Sequence, residues 1–134
     1  MPLKTNNFLT KGGIKMNFAK WFCLLLMPLF LLSNSPAFAY IEKDTAVLRV
    51  MNKAAGKTQI VPVKVGNIKK HDGLNIVVRN CKQSDPFDAE NFFAFVEIYT
   101  KTDVRIFSGW MNRNEPGQNP LQDDTYDVWL EKCE

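Results

Sequence analysis

The sequence predicts an all-β domain after a cleavable export segment: a small antiparallel β-sandwich or partly open barrel of about six strands. Three observations lead there. After residue 40, apolar side chains recur at a two-residue spacing, turn-forming residues interrupt them at short intervals, and no stretch carries the stripe of an amphipathic helix.

Residues 1–39 read differently. Lys4, Lys11, Lys15 and Lys20 form a basic lead, and Trp21 to Leu32 is an uncharged apolar run. That run suits the core of a signal peptide and falls short of the roughly 20 residues a spanning helix needs. Ser33 to Pro36 break it, and Ala37-Phe38-Ala39 supplies a small-x-small cleavage site that leaves Tyr40 as the new N-terminus. Met16 offers an alternative start with Lys20 as its basic lead, and the mature domain is the same either way. The expected organisation is therefore a signal peptide over 1–39 and one exported β domain over 40–134, periplasmic, with no stable membrane span after cleavage.

Four of the seventeen basic residues precede residue 40 and all fourteen acidic ones follow it, so the mature balance is thirteen against fourteen, a net charge of −1. With no basic cluster beyond Lys69-Lys70, the domain lacks the electrostatic footprint of a nucleic-acid binder. A chain this short builds one core and gains from a covalent staple.

Thr45 to Met51 begins the β pattern, and Asn52 to Lys57 follows as a turn with Gly56 available for a positive φ. Thr58 to Val65 is the second strand, and Pro62 within it lacks a ladder donor and favours an edge or a bulge. Gly66 ends that strand, His71-Asp72-Gly73 makes a turn, and Leu74 to Cys81 is the third strand. Lys82 to Glu90 reads as a polar loop. Asn91 to Thr100 is the strongest strand, joined through Lys101-Thr102-Asp103 to Val104 to Met111 as a hairpin. Asn112 to Asp123, with Pro116, Gly117 and Pro120, is a long connection of the sort that carries function or folds over the domain. Asp124 to Cys133 is the last strand.

The alternation assigns faces. Phe92, Ala94, Val96 and Ile98 join Leu74, Ile76 and Val78 and also Tyr126, Val128 and Leu130 as the core. A second face carries Phe93, Phe95 and Tyr99 around Glu97, with Trp129 between Asp127 and Glu131. Strict alternation puts Cys81 and Cys133 on this second side as well. Cys23 leaves with the signal and lacks a lipidation context, so the remaining pair reads as a Cys81–Cys133 disulfide in an oxidising compartment. The rival reading, a reactive or metal-binding thiol pair, wants a C-x-x-C spacing or neighbouring histidines, and His71 is the only histidine. The aromatic second face has two readings: a minor core beneath the long loop, or an exposed surface for a partner or ligand.

The run Ile106-Phe107-Ser108-Gly109-Trp110-Met111, then Pro116, Asn119, Leu121 and Tyr126-Asp127-Val128-Trp129 ending at Cys133, resembles domain-of-unknown-function family 2155, an uncharacterised envelope family of alpha-proteobacteria. Asn52-Lys53, Gly56-Lys57, Val65-Gly66, Gly73-Leu74, Ile76 and Pro86 through Glu97-Ile98 extend the likeness, which spans Val47 to Cys133. The resemblance implies a periplasmic disulfide-bonded β domain and supplies no catalytic residue. Where the family tends to Glu-His-Pro this chain has Gln122-Asp123-Asp124, so histidine chemistry there does not carry over.

The residues give little support to catalysis or metal binding. His71 beside Asp72, with Ser84 or Ser108, lacks the G-x-S-x-G elbow that exposes a nucleophile. Asp123, Asp124 and Asp127, with Asn112, Asn114, Glu115 and Asn119, are rich in oxygen but do not match an EF-hand spacing. Gly109 marks a bulge or a place where another side chain lies against the backbone. The expectation is a non-enzymatic binding or accessory component of the cell envelope, with no cofactor and no metal, an envelope protein as partner, and Phe93, Tyr99, Trp110, Pro116, Leu121 and Trp129 as the candidate surface. A small periplasmic hydrolase and a carbohydrate-binding module using the aromatic face are the alternatives.

Overall fold

The computed structural model describes residues 40–134; the export segment expected over 1–39 lies outside the described residues. Eight strands follow in order: β1 (Ile41–Glu42), β2 (Thr45–Asn52), β3 (Lys57–Lys64), β4 (Ile68–His71), β5 (Leu74–Gln83), β6 (Phe92–Thr100), β7 (Arg105–Asn112) and β8 (Tyr126–Cys133). All pairings are antiparallel. One sheet runs β1-β5-β6-β7 with β4 also on β5; the other runs β3-β2-β8. The two sheets share one core and form an open sandwich, not a closed barrel.

Six of these strands fall where the alternation places them. The other two, β1 and β4, are short, and both pair along the same edge of β5. Lys69 and Lys70 give β4 no apolar alternation, so its existence rests on the hairpin turn that follows it. In that turn Asp72 and Gly73 have φ of 47° and 81°, the two left-handed residues that a tight hairpin matching the twist of its strands requires. Pro62 sits on β3, an edge strand, where its missing N–H costs no ladder bond. Gly56, at φ 65°, closes the β2–β3 turn.

The chain changes sheets between β1 and β2 in two residues. The Lys43 N–H donates to the Cys81 carbonyl at 2.8 Å on one sheet, and the Thr45 N–H to the Glu134 carbonyl at 2.9 Å on the other.

The expected core residues of β5 and β6 are buried, with Leu74, Ile76, Val78, Ala94, Val96 and Ile98 at 1% exposure or less. Each large aliphatic side chain withdrawn from water in this way contributes about 1.5–3 kcal/mol. Val128 and Leu130 of β8 face them from the second sheet, and Tyr126 packs at the margin. Its hydroxyl donates to the Asp72 carbonyl at 2.6 Å, tying β8 to the β4–β5 turn.

Candidate binding face

Two bulges decide where the cysteines go. On β5, Val78 pairs with Val96 and Asn80 with Phe95, which leaves Arg79 as an inserted residue. On β8, Leu130 pairs with Leu48 and Lys132 with Val47, which leaves Glu131 inserted. Each insertion shifts the alternation by one, so Cys81 and Cys133 turn into the core, at 0% and 4% exposure. Strict alternation puts them on the second face, and the structure corrects that. They form the link between the two sheets, with Cα atoms 5.7 Å apart.

The 113–125 connection also goes elsewhere than the second face. Leu121 is 6% exposed and belongs to the core. Asn119 lies against Gly109, where a Cβ would overlap its amide, and donates to the Trp110 carbonyl at 3.2 Å. Gly109 pairs with core-facing Val96, so this contact is on the inner side of β7. Of the two readings of Gly109, a close-lying side chain is the one observed.

The outer face of the larger sheet therefore keeps its own surface. Phe93, Phe95, Glu97 and Tyr99 of β6 alternate with the buried positions and are half-buried by their neighbours on the same face. Phe95 meets Trp110 edge-on at 5.6 Å, and Phe93 meets Tyr40 edge-on at 5.8 Å. Between these pairs stands Lys82, its Nζ 4.2 Å from the Tyr40 ring centre and 4.8 Å from that of Trp110. An ammonium over two ring faces is attracted by their quadrupoles, by about 0.5–1 kcal/mol for each ring at an exposed site. Tyr40 and Trp110 nonetheless remain 48% and 42% exposed.

Beside the aromatics lies a charged row. Arg79 reaches the Glu97 carboxylate at 3.1 Å and Tyr99 donates to the same oxygen at 3.0 Å. These two hydrogen bonds, with the Arg79 charge, hold the Glu97 carboxyl below its ordinary range against the opposing effect of burial. Asn80 donates to Glu42 at 3.0 Å, and its own carbonyl oxygen is buried without a partner.

The six candidate surface residues are thus not one surface. Phe93, Tyr99 and Trp110 share the outer face of the larger sheet. Trp129 pairs with Arg49 on the outer face of the other sheet, and Pro116 lies near it beside a shallow depression that Arg49, Arg113 and Glu131 also line. Tyr40 and Lys82 complete the aromatic cluster, and the sequence pattern does not single them out. Nothing in the local pattern marks Lys82, because the bulge at Arg79 hides its register.

A pocket of about 280 Å³ opens at the end of this face, lined by Tyr40, Phe93, Ser84, Asp85, Asp88, Ala89, Asn91 and Asn114. Its amides are committed. Asn91 donates to Asn112 at 2.7 Å and accepts from the Phe92 and Asn114 N–H groups; Asn114 donates to the Glu90 carbonyl and accepts from Arg113. Arg113 grips Glu90 at 2.9 Å and stacks on Phe92. The Ser84 hydroxyl donates to the Ala89 carbonyl and accepts from the Asn91 N–H.

Two carboxylates that the sequence singles out are occupied in the same way. The Asp123 carboxylate accepts from the Thr125 and Tyr126 N–H groups, each at 2.9 Å, and caps the start of β8. Asp72 accepts from the Asn52 amide at 2.8 Å. Among the described residues no group of three or more potential ligands stands ready for a metal ion.

The family described as "Uncharacterized protein conserved in bacteria (DUF2155)" matches residues 46–133, well over half of the chain. The chain belongs to this family. The match runs from Ala46 in β2 through Cys133, so strands β3 to β8, the bulges at Arg79 and Glu131 and the disulfide lie within the DUF2155 domain, while Tyr40 and β1 precede it. No curated protein and no solved structure matches the chain.

Proposed function

We propose that this DUF2155 protein is exported, is cleaved after Ala39, and acts without catalysis as a binding component of the bacterial cell envelope through the outer face of its larger sheet. The observation that carries this reading is the Tyr40–Lys82–Trp110 arrangement: two rings, each more than two-fifths exposed, bridged by a cation between them. Rigid aromatic side chains give up little entropy on binding and dominate protein interfaces. Support for a non-catalytic role comes from the hydroxyl of Ser84 and the carboxylates of Asp72 and Asp123, each committed to holding the fold.

A protein partner is preferred over a sugar. The end pocket has the aromatic walls a sugar would stack on, but the Asn91 amide is spent on Asn112 and on the Phe92 and Asn114 backbone, and the Asn114 amide on Arg113 and the Glu90 carbonyl.

Export is tested by N-terminal sequencing of the envelope fraction, where Tyr40 is the expected first residue; full-length protein kept in the membrane contradicts it. Binding is tested by capture of envelope proteins with tagged wild type and Trp110→Ala. Recovery of the same partners at the same yield would refute the assignment of the face.

A further inference from the structure

The loop from Ser84 to Asn91 raises one side chain clear of the protein. Phe87 is 97% exposed, the highest value among the large apolar side chains of the described residues. The loop beneath it is well fastened. The Ser84 N–H donates to the Asn91 carbonyl at 2.9 Å, the Phe87 N–H to the Asp85 carboxylate at 2.9 Å, and the Asp88 N–H to the Asp85 carbonyl at 2.9 Å. Pro86 precedes Phe87, and the Asp85 and Asp88 carboxylates flank it in sequence with negative charge, while Glu90 is paired with Arg113. Such a tip is repelled by an anionic membrane surface and suited to an apolar surface carrying cations.

The outer face of the larger sheet is such a surface. Its exposed rings are those of Tyr40 and Trp110; its carboxylates, Glu97 and Glu42, are held by Arg79 with Tyr99 and by Asn80, while its cations Lys82 and Arg105 lie outside salt-bridge distance of any carboxylate among the described residues. The tip and the face adjoin one another, since the loop links β5 to β6 and shares the end pocket with Tyr40 and Phe93. Among the described residues, four of the seven exposed large apolar ones, Tyr40, Ile41, Phe87 and Trp110, belong to this end of the sheet.

We propose that the face receives the Phe87 tip of a second copy of the same chain, in a two-fold dimer where each copy contributes a tip and a face. This rests on the reading of the face as a binding surface and names its occupant. A tip and a face adjacent on one chain, opposite in charge and both apolar, are self-complementary about a two-fold axis, which is the commonest symmetry of soluble homo-oligomers.

The test is sedimentation of the purified protein over a concentration series at about 0.05 M and about 0.5 M salt, with thermal unfolding of every variant as a control for folding. The expected wild type is a reversible dimer that weakens at the higher salt. Phe87→Ala should weaken it roughly 30-fold or more, the loss expected of a central anchor, with unfolding unchanged because the ring touches little in the monomer. Asp88→Lys and Lys82→Glu should each weaken it, and the pair combined should recover much of the loss. Ile60→Ala, on the other sheet, should leave it unchanged. A monomer throughout, or a dimer indifferent to Phe87→Ala, overturns the proposal. If the monomer still recovers envelope partners that Trp110→Ala loses, the second copy is the wrong occupant and the face remains a binding surface.

Discussion

Cys81 and Cys133 oppose each other across the sandwich because each follows an inserted residue, Arg79 on β5 and Glu131 on β8. The link closes 52 residues and joins the two sheets inside the core. On the chain-entropy account a loop of that length stabilises the fold by about 4 kcal/mol. Peptide mapping of exported protein without reductant should recover the two cysteines in one linked pair. Cys81→Ser should cost about 2–5 kcal/mol in denaturant unfolding. Two free thiols in oxidised exported protein would contradict the assignment.

Gly109→Ala should act through Asn119. The added methyl displaces the Asn119 amide, a flexible side-chain end, and breaks its bond to the Trp110 carbonyl. The expected loss is that of one hydrogen bond, about 0.5–1.5 kcal/mol. Asn119→Ala should cost a similar amount, and the double variant no more than the larger single one, because both changes remove the same contact. Additive losses in chemical denaturation would show that Gly109 has some other role.

What the sequence reveals follows from its periodicity. The strands β5 and β6 carry apolar residues at two-residue spacing, so their core faces are readable from the alternation alone. The inserted residues are not readable, since Arg79 and Glu131 look like ordinary outward-facing positions, and one such residue reverses the face of everything after it. The same shift obscures Lys82. Leu121 and Asn119 lie in a stretch without periodicity, and only the tertiary path shows that they turn inward. The aromatic second face is legible, but its division between Trp110 on one sheet and Trp129 on the other is not, because nothing local says which sheet a strand joins.

The Glu97 carboxyl gives a pH signature. Its folded pKa lies below the ordinary carboxylate value through the Arg79 and Tyr99 hydrogen bonds. A depressed carboxylate contributes stability that is present above the unfolded pKa and lost as pH falls through the folded one. Wild type should therefore lose stability as pH drops from the ordinary Glu range near about 4.3, and Glu97→Gln should lose less over that window. Thermal unfolding from neutral to acid pH checks this, and parallel curves for the two proteins would contradict it.

Tyr126 gives the opposite limb. Burial first, then the nearby Asp72 and Asp123 charges, raise its pKa above the ordinary 10.0. A raised pKa contributes stability present below the unfolded value and lost as pH rises through the folded one. Tyr126→Phe also removes the bond to the Asp72 carbonyl and should cost about 1 kcal/mol at neutral pH. In thermal unfolding the gap between variant and wild type should narrow above about pH 10, and a gap that widens there would contradict this.

The central claim is that the outer face of the larger sheet binds and the outer face of the other sheet does not. Parallel capture from the envelope with Trp110→Ala and Trp129→Ala, scored for untagged copies of the chain as well as for other proteins and alongside thermal unfolding of both, tests it most directly. Trp110→Ala should abolish recovery of the partner, as expected of a hot spot that costs at least about 2 kcal/mol of binding, while the protein stays folded. Trp129→Ala should keep the partner. Equal recovery with both variants, or loss that follows stability alone, would contradict the account.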